Sequence, residues 1–125
     1  MLSKIIGNKR KEVEISKKTL PLSSFKSKLK SSTRDFKEAI SKNKLNLIAE
    51  VKRASPSNKE FRDIDIKRIT NIYNKYADAI SVLTDRKFFG GSLEDVKKIS
   101  QITKLPLLRK DFIVDEYQIY ESRLF

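Results

Sequence analysis

The sequence predicts an α/β fold in which parallel strands alternate with helices. Three short apolar runs, each of a length suited to one buried strand, are each followed by a segment with helical spacing of apolar residues. Strands joined through helices run parallel within one sheet, because a helical crossover brings the chain back to the same end of that sheet. The predicted order is therefore β-α-β-α-β-α.

Residues 1–45, which precede the first apolar run, are basic and rich in serine and lysine, and we interpret them as an N-terminal helical extension. Weak helical spacing predicts three helices there and no strand. The apolar residues that mark these helices are Ile5 with Val13, Phe25 with Leu29, and Phe36 with Ile40. Pro21 separates the first helix from the second, because proline interrupts the helical hydrogen-bond ladder.

Residues 46–125 are predicted to form three βα units. The strands are expected at residues 46–51, 79–84 and 105–108. Helical spacing follows the first strand at Ile66, Ile69, Ile72, Tyr73 and Tyr76. Ser92 opens the second helix, with Asp95 three residues later in a pattern that resembles a capping box. The third helix is expected from Asp115 to about Leu124. A parallel sheet of three strands leaves two unpaired edges, so we expect the chain to be part of a larger sheet.

Charged side chains stand at the carboxyl ends of these predicted strands. Lys110 and Asp111 follow the third strand, and Glu50 and Lys52 lie two residues apart on one face of the first. In (β/α) barrels, residues at this end of the strands carry the chemistry, and a lysine there can act as a general acid or base. The alternative is that these groups are solvated charges or a mutual ion pair.

Two loops hold further candidates for ligand binding. Ser55 and Ser57 flank a proline, in a turn that displays hydroxyl groups and backbone amides suited to a carboxylate or phosphate. After the second strand, Phe88 and Phe89 precede two glycines. One of these aromatic rings can pack inward while the other lines a pocket for a planar ligand. Both loops are equally compatible with ordinary connections.

Composition excludes several classes of protein. The chain has no cysteine and no histidine, so it has no disulfide, no Cys/His metal site and no histidine-based triad. The net charge of +12 favours anionic ligands, but the basic residues are spread along the whole chain, which argues against a nucleic-acid-binding module. No apolar run has the roughly 20 residues of a membrane span. We expect a cytoplasmic protein that binds neither membrane nor nucleic acid.

Three stretches together resemble the indole-3-glycerol phosphate synthase family of tryptophan biosynthesis. They are AEVKRASPS at 49–57, ADAISVLTDRKFFGGSLEDV at 77–96 and LPLLRKDFIVDEYQIYESR at 105–123. The resemblance implies a (β/α)8 TIM barrel with an N-terminal helical extension, of which this chain would hold the extension and the first three βα units. It also implies a carbon–carbon lyase that uses no cofactor and no metal. The substrate would be a small anion, 1-(2-carboxyphenylamino)-1-deoxyribulose 5-phosphate, whose pyrrole ring closes with loss of carbon dioxide and water.

The resemblance also implies roles for individual residues. Lys110 would be the general acid that protonates the ketone oxygen, Lys52 would bind the anionic substrate, and Glu50 would hold and tune both lysines. Hydroxyl groups of the loop after the first strand would bind a substrate anion, and two aromatic rings would flank the anthranilate ring. These residues are Ser55 and Ser57 for the anion, and Phe89 and Phe112 for the ring.

The chain departs from the family pattern in three places. Asn58, Lys59 and Glu60 replace the usual Lys-Gly after the serine turn, and Tyr76 meets Ala77 without the usual glycine. The third departure is that the part of the family sequence beyond the third helix is missing; in the family, that part holds a second catalytic glutamate, an asparagine and the phosphate site. We therefore expect this polypeptide alone to be inactive, and to self-associate or pair with the missing barrel half. The alternatives are a non-catalytic docking subunit and another phosphate-binding barrel.

Overall fold

The computed structural model describes residues 1–125 and divides them into two compact units. One unit is Met1–Ser32 together with Phe112–Phe125, and the other is Thr33–Asp111. Along the chain, the helices are α1 Leu2–Thr19, α2 Phe36–Ala39, α3 Ile66–Tyr76, α4 Arg86–Phe89, α5 Leu93–Ile102 and α6 Tyr117–Leu124. The strands are β1 Ile48–Val51, β2 Ala79–Leu83 and β3 Leu107–Lys110.

The unit Thr33–Asp111 contains one sheet of three parallel strands in the order β1-β2-β3. The central strand β2 is buried along its whole length, whereas β1 and β3 form the two edges. Glu50 pairs with Ser81 across β1 and β2, and Leu83 pairs with Lys110 across β2 and β3. The predicted parallel arrangement with helical crossovers is thus confirmed.

The core lies between the sheet and the helices α3 and α5. Ile80 and Val82 of β2 are fully buried and pack with Val96 and Ile99 of α5. Because side chains alternate along a strand, Glu50 and Lys110 lie on the opposite face of the sheet from this core. The sequence therefore separates an apolar face, which fixes the fold, from a charged face at the strand ends.

Side-chain caps define where the two packing helices begin. The Asp65 carboxylate accepts from the Arg68 amide at 3.0 Å, and the Ser92 hydroxyl accepts from the Asp95 amide at 3.3 Å. Both satisfy a backbone donor that has no partner within the helix. The second is the cap that the serine and aspartate spacing predicts.

The other unit packs α1, two short 3-10 turns and α6 around aromatic side chains. The rings of Phe25 and Tyr117 meet edge to face, with centroids 6.1 Å apart. The Tyr117 hydroxyl donates to the Leu20 carbonyl at 2.8 Å, and Lys17 forms an ion pair with Asp115 at 2.5 Å. These contacts join segments that are far apart in the sequence.

Several element boundaries differ from the sequence predictions. The third strand occupies Leu107–Lys110 rather than 105–108, so Lys110 is its last residue. The segment around Phe25 forms two 3-10 turns instead of a helix, and the loop after β2 contains the short helix α4. The first strand begins at Ile48 and the last helix at Tyr117, each two residues later than predicted. The division into an extension at 1–45 and βα units at 46–125 stays a prediction.

Asp78, just before β2, anchors the segment that leads into β1. Its carboxylate accepts from Lys44 Nζ at 2.8 Å and from the Leu47 amide at 2.9 Å. The Lys44 hydrogen bond, followed by the Leu47 amide, lowers the pKa of Asp78 below its ordinary value. A carboxyl group whose pKa is lowered in the folded state stabilises that state at pH values above its ordinary pKa. The stabilisation is lost as the pH falls through the lowered pKa.

Replacing Asp78 with asparagine is therefore expected to reduce the free energy of unfolding at pH 7, with a difference that shrinks below about pH 4. Urea unfolding at pH 7 and pH 3 measures both differences in the protein that carries this segment. Asp63→Asn, at an exposed aspartate, is the control and should change little at either pH. An equal loss at both pH values for Asp78→Asn would contradict the electrostatic explanation.

Candidate active site

Two lysines and one glutamate meet at the carboxyl ends of the edge strands. Lys110 Nζ donates to Glu50 Oε2 at 2.6 Å, and Lys52 Nζ lies 3.8 Å from Glu50 Oε1. The side chains of Lys110 and Lys52 are 54% and 47% exposed, while that of Glu50 is 32% exposed. The structure thus brings together the three residues that the strand-end pattern singles out, with the carboxylate in the middle.

The parallel register explains this grouping. Glu50 and Lys110 lie on the outer strands and both face away from the helices, so their side chains project on the same side of β2. The backbone at Glu50 is held by the Tyr73 hydroxyl, which donates to the Glu50 carbonyl at 2.7 Å. Burial raises the pKa of Tyr73, and the negative charge of Glu50 raises it further. The Tyr73 hydroxyl therefore stays protonated and can donate this hydrogen bond.

This arrangement suits an anionic ligand. Two ammonium groups around one carboxylate leave an excess of positive charge at an accessible surface. The shared carboxylate also restrains two long, flexible side chains, and an ammonium held in this way can donate a proton to a bound oxygen atom.

The loop after β1 forms an open pocket of about 180 Å³ beside this cluster. Its lining residues are Lys52, Arg53, Ala54, Ser55, Asn58, Glu60 and Arg62. The Ser55 hydroxyl accepts from the Asn58 amide and lies 3.1 Å from the Ser57 hydroxyl. Ser55 therefore lines the pocket, whereas Ser57 is an exposed neighbour outside its lining.

Arg53 and Asp95 anchor this loop, a pairing that the sequence analysis missed. The two terminal nitrogens of the Arg53 guanidinium, Nη1 and Nη2, donate to the Asp95 carboxylate, and the two side chains are only 13% and 7% exposed. The Arg53 carbonyl also accepts from the Arg62 amide at 3.0 Å, which closes the loop at its base. The only sequence signal at Asp95 was its position in the helix cap.

The two candidate aromatic residues fall in different compact units. Phe89 ends α4, is partly buried, and accepts a hydrogen bond from the Ala54 amide at its carbonyl, 3.2 Å away. Phe112 is partly buried in the other unit, where its carbonyl accepts from Gln118 Nε2 at 3.0 Å. Their roles beside an aromatic substrate stay predictions.

Two adjacent glycines follow Phe89. Gly90 has φ +64°, in the left-handed region, and ends α4. Gly91 is buried and donates its amide to the Asp85 carbonyl at 2.9 Å. A Cβ atom at Gly91 would overlap the backbone carbonyl of Leu83, so only glycine fits there.

No group of three or more acidic side chains in the structure could hold a metal ion. None of its helices combines the length and the apolar composition required to cross a membrane.

Comparison with known proteins identifies relatives along the whole chain. The family model described as "Indole-3-glycerol phosphate synthase" matches residues 2–125. An indole-3-glycerol phosphate synthase of Clostridium acetobutylicum is 44% identical over 129 residues, covering 99% of this chain and 49% of the relative. A synthase of Thermoanaerobacter pseudethanolicus is 40% identical over 127 residues, with shares of 99% and 49%. A "Tryptophan biosynthesis protein TrpCF" of Salmonella typhi is 45% identical over 126 residues, with shares of 100% and 28%.

The chain spans about half the length of the two synthases and just over a quarter of the TrpCF protein. The matching family consists of carboxy-lyases of tryptophan biosynthesis with a (β/α)8 barrel fold, and the three parallel strands with their helices agree with an incomplete barrel of this kind. From the motifs, the fold and this match over nearly every residue, the chain belongs to the indole-3-glycerol phosphate synthase family.

Proposed function

We propose that the protein carrying this segment is an indole-3-glycerol phosphate synthase, and that Glu50, Lys52 and Lys110 belong to its active site. The observation that carries the proposal is the pair of lysines held on one carboxylate at the strand ends. Membership of the family supports the reaction, and the geometry supports the choice of residues.

The reaction needs an acid where Lys110 stands. A bond forms between the carboxylate-bearing ring carbon of the substrate and its ketone carbon, and the ketone oxygen takes a proton from the Lys110 ammonium. Carbon dioxide then leaves the ring carbon, and the electron pair of the broken bond restores the aromatic ring. The new hydroxyl group takes up a proton and leaves as water, while the neighbouring methylene carbon loses a proton to form the double bond of the pyrrole ring. A positioned acid lowers the barrier of such a step because it neutralises the oxygen as its negative charge develops.

The remaining candidates serve binding in this proposal. Lys52 pairs with an anionic group of the substrate, and Ser55 donates to an anion at the pocket of the first loop. Ser57, outside the pocket lining but 3.1 Å from the Ser55 hydroxyl, donates to the same anion from the edge of the pocket. Phe89 contacts the anthranilate ring, and the role of Phe112 stays a prediction from the resemblance. The substrate is then held by charge, by hydrogen bonds and by apolar contact, which together orient its two reacting carbons. A cytoplasmic location belongs to the same proposal.

Replacing Glu50 with glutamine tests the central observation. Glutamine keeps the size of the side chain but loses the charge that holds both lysines, so kcat is expected to fall by about 10- to 100-fold. The measurement is the formation of indole-3-glycerol phosphate, followed by its fluorescence, in the protein that carries this segment. Glu94→Gln, at an exposed glutamate in the first turn of α5, is the matched control and should keep native turnover. No turnover in the native protein would refute the function, and unchanged turnover in Glu50→Gln would remove Glu50 from the site.

A further inference from the structure

We propose that Thr84 is a positioning residue, which fixes the end of β3 so that Lys110 points toward Glu50. Thr84 follows β2 directly and contacts both the last residue of β3 and the residue after it. Its amide donates to the Lys110 carbonyl at 3.1 Å, and its hydroxyl donates to Asp111 Oδ2 at 2.7 Å. One residue thus holds the backbone of the proposed acid and the side chain of the next residue. This inference rests on the proposed function.

Arg109 adds two further contacts at this position. Its Nη2 donates to Asp111 Oδ2 at 3.2 Å, and its Nε donates to the Thr84 hydroxyl at 3.3 Å. The hydroxyl therefore accepts from Arg109 and donates to Asp111. Arg109, Thr84 and Asp111 constrain the chain on both sides of Lys110.

Burial strengthens these hydrogen bonds and the ion pair. The side chain of Asp111 is 1% exposed and that of Arg109 is 10% exposed, and Thr84 as a whole residue is 6% exposed. A buried carboxylate that loses a partner is strongly disfavoured, so each contact supports the others. Lys110, by contrast, projects from the opposite face of β3 and is 54% exposed.

The contrast between the buried face of β3 and its exposed face indicates that the buried contacts position Lys110. A solvent-exposed lysine has many rotamers, and its position depends on the direction in which its backbone presents it. Apolar residues would fill a purely structural site as well as or better than a buried ion pair. A polar set at this location instead gives the strand end one defined geometry, and a shift of about 1 Å at a reacting group can cost about 100-fold in rate.

The test compares Thr84→Val, which removes the hydroxyl at similar size, with Thr84→Ser, which retains it. Thr70→Val is the matched control: Thr70 is a fully buried threonine whose hydroxyl donates to the Ile66 carbonyl, away from β3. Each variant is made in the protein that carries this segment. One readout is the kcat and KM of the synthase reaction, and the other is the NMR signal of the Lys110 ammonium, which is observable while the ammonium is protected by its bond to Glu50.

For Thr84→Val we expect kcat to fall by about 10-fold or more with little change in KM, and the Lys110 ammonium signal to be lost. Thr84→Ser should restore both, and Thr70→Val should leave both native. A folded Thr84→Val variant with native kcat and a native Lys110 signal would overturn the proposal, as would equal losses in Thr84→Val and Thr70→Val.

Two further outcomes remain decisive. If Thr84→Val does not fold, Arg109→Lys replaces it, since lysine keeps the buried charge but lacks the planar guanidinium that binds Thr84 through Nε and Asp111 through Nη2. If the native protein has no synthase activity, the proposed function fails. The Lys110 signal alone then decides whether Thr84 positions this side chain.

Discussion

Replacing Lys110 with alanine is expected to lower kcat of the synthase reaction by at least about 100-fold, the usual scale for loss of a general acid. The Lys110 ammonium is held 2.6 Å from Glu50 at the end of β3, where it is still half exposed and able to reach a ligand. Alanine removes the proton donor but leaves the backbone contacts to Thr84 in place. The protein should therefore fold normally and fail in the chemical step.

Steady-state kinetics of the protein that carries this segment measure the loss, and circular dichroism checks that the variant is folded. Lys98→Ala is the control, since Lys98 is an exposed lysine on α5 and should turn over substrate at the native rate. A Lys110→Ala variant with near-native kcat would exclude Lys110 as the acid. A rise in KM alone would assign it to binding.

The second large effect concerns the 125-residue polypeptide by itself, which is expected to show no measurable synthase activity and to self-associate. The strands β1 and β3 are the edges of its sheet, and free strand edges pair readily with other chains. Ile48 and Leu108, on these edge strands, are 43% and 44% exposed. The net charge of +12 opposes association only weakly, because screening acts over about 8 Å at physiological salt.

Size-exclusion chromatography of the purified polypeptide should show oligomers, and the fluorescence assay should show no product. Leu47→Lys, which places a charge beside the β1 edge at a residue that is 48% exposed, should shift the elution toward the monomer. A native monomer that converts substrate would contradict both parts of the prediction. A native monomer that forms no product would contradict only the predicted self-association.

Local sequence patterns were sufficient to predict the sheet and the helices that pack on it. All five residues of β2 are buried, and all but Ser81 are apolar, so this run predicts a buried strand without reference to any partner. The third strand was placed two residues early because the apolar residues Leu105 to Leu108 set its bounds. The real strand alternates partly buried and exposed residues, and it continues through Arg109 and Lys110. An edge strand with one solvated face tolerates charges that a central strand does not.

Local sequence patterns could not predict the contacts between segments that are distant in the sequence. Arg53 and Asp95 are separated by 42 positions, and Thr84 and Asp111 by 27. Each side chain alone is compatible with a surface residue or a helix cap, and only the parallel register brings the partners together. The strand-end pattern singled out Glu50, Lys52 and Lys110, but it gave no indication of what holds Lys110 in position.

Gly90 and Gly91 are adjacent, yet they leave different freedom to anyone who redesigns the loop after β2. Gly90 is limited by its backbone angle, and the nearest obstacle to a side chain is the movable ring of Phe61. Asparagine, which adopts the left-handed region more readily than other residues, is a reasonable substitute there. Gly91 is limited by space, because the Leu83 carbonyl occupies the position of a Cβ atom. A library that varies both positions alike would spend half of its diversity on a site that admits a single residue.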